Sequence, residues 1–238
     1  MSELDDAARR LVGDAVQRLW DRIVDWGAIR HTSARARRFL SFGTGSAICF
    51  PVGALFGERY IGLGAATVVG PNVSLSAGVS PAHELGDREI VTIGDGCLIG
   101  KGSGIVAHER VEIADHVFTG HHVYITDANH GYEDPHLPIG RQFAPPRPVK
   151  VGEGSWLGHG TIVLPGAEIG RHVVVGAGSV VTGTLPDFCV AVGNPARVIR
   201  RYVTGEGWVD VSPADGSPVD GSGRGQPDGG QPESAGDG

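Results

Sequence analysis

Aliphatic residues recur at every sixth position through much of the stretch 61–203 of this 238-residue chain. From Val151 the series reads Val151, Leu157, Val163, Ile169, Val175 and Val181. Neither the 3.6-residue period of a helix nor the two-residue period of a plain strand yields this spacing. A six-residue repeat marks a parallel β-helix, in which each hexapeptide is a short strand and a turn. Three hexapeptides then form one 18-residue coil of a triangular prism. The aliphatic residue points into the core. Four places on, Ser155, Thr161, Ala167, Val173, Ser179 and Leu185 fill the corners. Gly152, Gly158, Gly170 and Gly176 directly follow the aliphatic, where the backbone bends between faces. No coil can bury its apolar surface alone, so stability comes from stacking.

Upstream, Leu63, Val69 and Leu75 keep the step, as do Ile93, Ile99 and Ile105, and then Ile113, Thr119 and Ile125. Two interruptions stand out. The step from Ile105 to Ile113 is eight, a two-residue bulge at His108–Arg110. The gap from Ile125 to Val151 is 26 residues and contains TDANHGYEDPHLPIGRQFAPPRPVK. A long irregular insertion in a regular solenoid is usually functional.

The flanks read differently. Over residues 3–29, Leu4, Ala8, Leu11, Ala15, Leu19, Ile23 and Val24 share one helical face. A basic stretch follows, with Arg30, Arg35, Arg37 and Arg38. From Thr204 the chain has ten glycines and seven acids against one base, so it cannot repay its ordering entropy and is expected to be disordered. The sequence therefore divides into 1–60, a helical segment and entry to the solenoid; 61–203, the solenoid; and 204–238, the tail. Of the net charge of −7, the tail carries most. The nearly neutral body offers no bulk attraction to nucleic acid. Cys49, Cys97 and Cys189 are odd in number and far apart, which disfavours a disulfide framework and contains no CxxC pair. The opening MSELDDAARR has no apolar segment of the signal-peptide kind, and no apolar run approaches the roughly 18 residues of a membrane span. A soluble cytoplasmic protein is expected.

The segment VGEGSWLGHGTIVLPGAEIGRHVVVGAGSVVTGTLPDFCVAVGNPARVIR resembles the C-terminal part of the hexapeptide-repeat O-acetyltransferases, the galactoside, maltose and polysaccharide-type enzymes. The loop with ITDANHGYEDP is similar to that family's acceptor-site loop. The resemblance implies a fold class: all-β, a left-handed parallel β-helix with an N-terminal helical segment and a disordered C-terminal tail. It also implies a homotrimer with acyl-CoA held between subunits. The implied reaction is acetyl transfer from acetyl-CoA to a hydroxyl of a sugar or related small molecule.

Such transfer needs a base for the acceptor's proton and a donor for the oxyanion. By resemblance His130 is the base, with Asp127 or Asn129 on the acceptor side or orienting its imidazole. A loop-capping role is the plain alternative for both. Trp156 falls at the family's tunnel-wall tryptophan. The acyl-CoA positions map onto Gly158, His159, Ala177, Thr182, Gly183, Arg197 and Arg200, with the two arginines on the nucleotide phosphates. The family often has Lys where this chain has Gly183, and Ser or Ala where it has His159. No metal is expected. Lys101, His121 and His159 should stack in one outer column.

Two other readings use the same fold. A γ-type carbonic anhydrase needs three histidines on Zn2+. His116 and His121 have a suggestive spacing, but position 80 is Ser and the nearest upstream histidine, His83, falls in a loop. A non-catalytic β-helix would serve as a scaffold or binding module.

Overall fold

The structure, a computed structural model, describes residues 3–81 and 84–212. His83 and the tail from residue 213 lie outside the described residues. Three sheets wrap a prism, and within each the neighbouring strands of the coils run parallel. The register follows the hexads. On one face the inward ladder is Phe42, Leu63, Ile93, Ile113, Val151, Ile169 and Leu185. On another it is Leu55, Leu75, Ile105, Ile125, Val163 and Val181. Nearly all of these inward aliphatics are completely buried. Each contributes about 1.5–3 kcal/mol by leaving water.

The outward residues distinguish the faces. The first face is polar, with Ser41, Gly62, Thr92, Glu112, Lys150, Glu168 and Thr184 in register. The second, aromatic face carries Val68, Leu98, Phe118, Trp156, Val174 and Val190. The third carries Ser74, Gly104, Tyr124, Ile162 and Val180.

Corner residues do two jobs. Small hydroxyls tie one coil to the next: Ser155 Oγ donates to the Gly170 carbonyl at 2.9 Å and accepts from the Val173 amide at 3.0 Å. Beside them the chain turns through the left-handed region, at Gly96, Gly102 and Gly154 on some coils and at His116, His122 and His172 on others. Where a glycine is followed by a histidine on the next coil, the reason is steric. A Cβ on Gly96 would lie 2.6 Å from the His116 ring, and one on Gly102 equally close to His122.

Several expectations change. Leu185 is not a corner residue. It pairs with Ile169, so the last coil is 16 residues, shortened at Thr182–Gly183. The coils begin before residue 61, because Ser41–Phe42, Ala47–Ile48 and Leu55–Phe56 already occupy all three sheets. Nor does disorder start at Thr204: Arg197–Val203 and Gly207–Asp210 form an antiparallel hairpin that extends the aromatic sheet. Tyr202 meets Trp208 across it, which the glycine-rich composition concealed. The helix α1 spans Glu3–Gly27 and stops short of Ile29, which enters a strand against Ile48. In the basic stretch, Ala34–Arg38 form a 3-10 helix, and Arg35 and Arg38 both face the buried Glu58 carboxylate at 3.6 and 3.7 Å.

Candidate active site

The long insertion leaves the prism after Thr126, at the edge between the third and polar faces. Asp127 closes its base. Its carboxylate is 0% exposed and accepts three backbone N–H bonds: His108 at 2.8 Å, Glu109 at 2.7 Å and Arg110 at 2.7 Å. Its own carbonyl accepts the Arg147 amide at 2.8 Å. Asp127 therefore caps the two-residue bulge and is not the orienting group of His130. The reason is simple competition: a buried carboxylate takes the amides that otherwise have no acceptor.

His130 sits on the exposed part of the loop in an antiparallel bridge to Phe143. The Gln142 carbonyl accepts from the Gly131 amide at 2.9 Å and lies 3.2 Å from His130 Nδ1. A carbonyl only accepts, so Nδ1 carries the proton. In the neutral ring the lone pair is then on the other nitrogen, Nε2. Asn129 Oδ1 accepts the His130 amide at 2.9 Å, so Asn129 fixes the turn, not the ring.

Gln142 also anchors the loop. Its Nε2 donates to the Asp134 and Leu137 carbonyls at 2.8 and 2.9 Å, and its Oε1 accepts the Asp134 amide at 3.1 Å. Gln142 and Phe143 escape sequence reasoning, since the loop has no period and its pairing is set by chain reversal. The His130 and Phe143 ring centroids are 6.1 Å apart.

The other expected site residues fall on separate parts of the prism. Trp156 stands half exposed on the aromatic face beside Phe118, above a depression that Gly96, His116, Gly154 and Ser155 help to line. Gly158, His159 and Ala177 lie at the edge between the aromatic and third faces. Thr182 and Gly183 lie at the same edge as the His130 loop. One chain thus brings His130 near neither Trp156 nor His159: the third face separates their edges, at about 3.3 Å per residue.

The smallness of Gly158 serves packing. A Cβ there would meet the Ala177 backbone at 2.6 Å, so the next coil already occupies that space. Gly176 is similarly covered by Val192, whereas Gly160, Gly178 and Gly183 have nothing within 4 Å of a Cβ. Arg200 pairs with Asp210 at 2.9 Å, and Arg197 donates to the Ala196 carbonyl at 2.9 Å. The hairpin thus gives Arg200 a carboxylate partner at the surface.

The outer column stacks as expected: His122 N donates to Lys101 O and Gly160 N to His121 O, both at 2.9 Å. The rings of His121, His122 and His159 cluster with centroids 5.5–6.5 Å apart. His116 and His121 lie at opposite edges of the aromatic face. Among the described residues no group of three His, Cys, Asp or Glu side chains is placed to hold a metal ion.

Burial raises the thiols. Cys189 is pushed up to about 11, and Cys97 and Cys49 are raised, the last against the opposing charge of Arg30. None is a ready nucleophile. No helix among the described residues is long and apolar enough to cross a membrane.

Comparison with known proteins agrees with this architecture. Residues 148–183 match the bacterial transferase hexapeptide (six repeats) family, and residues 90–114 match the hexapeptide repeat of succinyl-transferase. An Escherichia coli K12 relative named as a lipopolysaccharide biosynthesis O-acetyl transferase, WbbJ, is 32% identical over 136 residues, covering 54% of this chain and 69% of its own. The galactoside O-acetyltransferase of Lactococcus lactis is 39% identical over 108 residues, covering 42% of this chain and 51% of its own. Among the first curated relatives the chain spans 36%, 69% and 56% of their lengths. A crystal structure of AntD, an N-acyltransferase from Bacillus cereus in complex with dTDP and 3-hydroxybutyryl-CoA, has the same fold. Its TM-score is 0.59 at 22% identity, over 72% of this chain and 89% of that one. The stacked hexads, and a relative 32% identical of which the chain covers 69%, place this chain in the hexapeptide-repeat acetyltransferase family.

Proposed function

We propose that the protein transfers an acetyl group from acetyl-CoA to a hydroxyl of a sugar or related small molecule, with His130 as general base. One observation carries the reading: the Gln142 carbonyl beside Nδ1 makes Nε2 the accepting nitrogen of the neutral ring, at the surface of an anchored loop. The acceptor hydroxyl gives its proton to Nε2 as its oxygen attacks the thioester carbonyl. The carbon–sulfur bond breaks, CoA leaves as thiolate, and the proton passes from Nε2 to the thiolate. Nothing in the step requires a metal.

The assembly proposed is a homotrimer. One chain holds His130 at one edge, and His159 and Ala177 at another. Cyclic packing sets the first edge of each copy against the second edge of its neighbour, and completes three equal sites. Trp156 lines the pantetheine arm and Arg197 meets the nucleotide phosphates. The left-handed sense of the coil is taken from the family. The reaction is assigned to the cytoplasm, where acetyl-CoA is available. The solenoid, from its first coil at Ser41 to its closing hairpin at Asp210, is the catalytic body.

The test is His130→Ala. General-base catalysis supplies about 10²–10⁴-fold, so kcat should fall by that factor while acetyl-CoA still binds by calorimetry. A mutant with near-wild-type kcat would assign the base elsewhere.

A further inference from the structure

Helix α1 is the feature that acyl transfer leaves unexplained. Its 25 residues span about 37 Å at 1.5 Å per residue. It touches the prism only near its end. Gly27 packs on the Phe50 ring, while every residue from Arg9 to Ile23 is exposed. The exposed residues include Leu11, Val12, Val16, Leu19, Trp20, Ile23 and Trp26, with Leu19 57% and Trp26 75% accessible. Most helical stability in a protein comes from packing an apolar face. The face of α1 therefore calls for a cover.

The pattern of the face indicates what covers it. Val12, Val16, Leu19, Ile23 and Trp26 are spaced four, three, four and three residues apart. That is the alternation of core positions in a coiled coil, with Val16 and Ile23 at one position and Val12, Leu19 and Trp26 at the other. Leu11 and Trp20 flank this seam on its two sides and widen it beyond a two-helix contact. Charge argues against a lipid surface. Between residues 6 and 25, four aspartates (Asp6, Asp14, Asp21, Asp25) balance four arginines (Arg9, Arg10, Arg18, Arg22). Such a helix has no net attraction to anionic headgroups. The residues flanking the seam set no like charges against each other in parallel copies: Ala15 and Arg22 on one side face Trp20 and Gly27 on the other.

We infer that α1 packs in parallel with α1 of other copies of this chain, forming a helical bundle at one end of the assembly. The parallel sense rests on the cyclic trimer proposed above, in which every copy carries its helix at the same end. Three helices then bury the widened seam. The bundle is an interaction surface additional to the prism edges, and it joins the copies without touching the reaction.

Single-cysteine reporters test this in the full chain. Leu19→Cys lies in the seam and Gln17→Cys on the opposite side of the helix. A short bismaleimide should link Leu19→Cys into covalent dimers at least tenfold faster than Gln17→Cys, with wild type as the blank for native thiols. Adding Val16→Asp and Ile23→Asp to Leu19→Cys should abolish the linkage. Equal rates for the two reporters, no linkage in either, or linkage that survives the two aspartates would each overturn the inference. So would co-flotation of wild type with phosphatidylglycerol vesicles that the two aspartates abolish. Acetyl transfer by the same variants reads the proposed function separately. Activity without cross-linking removes only the bundle, and cross-linking without activity removes only the enzyme reading.

Discussion

Replacing Asp127 separates two roles that its position beside the His130 turn confuses. The carboxylate is completely buried and accepts amides from His108, Glu109 and Arg110 at 2.7–2.8 Å. Hydrogen bonds to a charged group contribute about 1.5–3 kcal/mol each. Three such bonds are coupled, and the amides lie on a partly exposed bulge. Asp127→Ala should therefore destabilise the fold by about 3–5 kcal/mol, well below the simple sum. Asp127→Asn keeps the shape but turns an NH2 toward at least one amide, and should cost about 1.5–3 kcal/mol. For a body of this size each kcal/mol lowers Tm by about 2–4 °C, so Asn should lower it by about 3–12 °C. Amide exchange at His108, Glu109 and Arg110 should accelerate in both variants. Assayed well below the melting range, Asp127→Asn should keep kcat within about tenfold of wild type, because the carboxylate does not touch the imidazole. A loss of more than about 10²-fold in kcat with an unchanged Tm would refute this and restore Asp127 as the orienting group.

Arg197→Ala should raise the KM for acetyl-CoA about tenfold through one lost charge-assisted contact, whereas Arg200→Ala, already paired with Asp210, should change it less than about twofold in steady-state kinetics. Gly183→Lys fills open space, so Tm should hold and the KM for acetyl-CoA should fall several-fold; an unchanged KM would remove position 183 from the donor site. Gly158→Ala drives a methyl to 2.6 Å from the Ala177 backbone and should cost about 1–3 kcal/mol by chemical denaturation. Native protein should react only slowly with a thiol reagent near pH 8, since burial raises all three thiols and holds Cys189 at about 11; denaturation should release three.

The legible parts of this protein are those with a period. Val151, Leu157 and Val163 announce three faces of a prism because a β-helix repeats one environment at each corner. Local residue type is then enough to set strand, turn and direction into the core. The two-residue bulge at His108–Arg110 and the insertion after Ile125 are visible as breaks in that count. Leu185 misleads because the count cannot show where a coil loses two residues, and only pairing with Ile169 reveals it. His130 is identifiable by its motif, but its tautomer is not. That depends on Gln142, twelve residues away, brought back by a chain reversal without sequence periodicity. The same holds for Asp127 and Arg200, whose partners His108 and Asp210 are tertiary neighbours. The six-residue period alone determined the solenoid, since each hexad meets the same neighbours above and below. Tertiary structure decided which carboxylate caps a loop, which arginine is already paired and which edges His130 and His159 occupy, because those depend on contacts between segments that share no repeat.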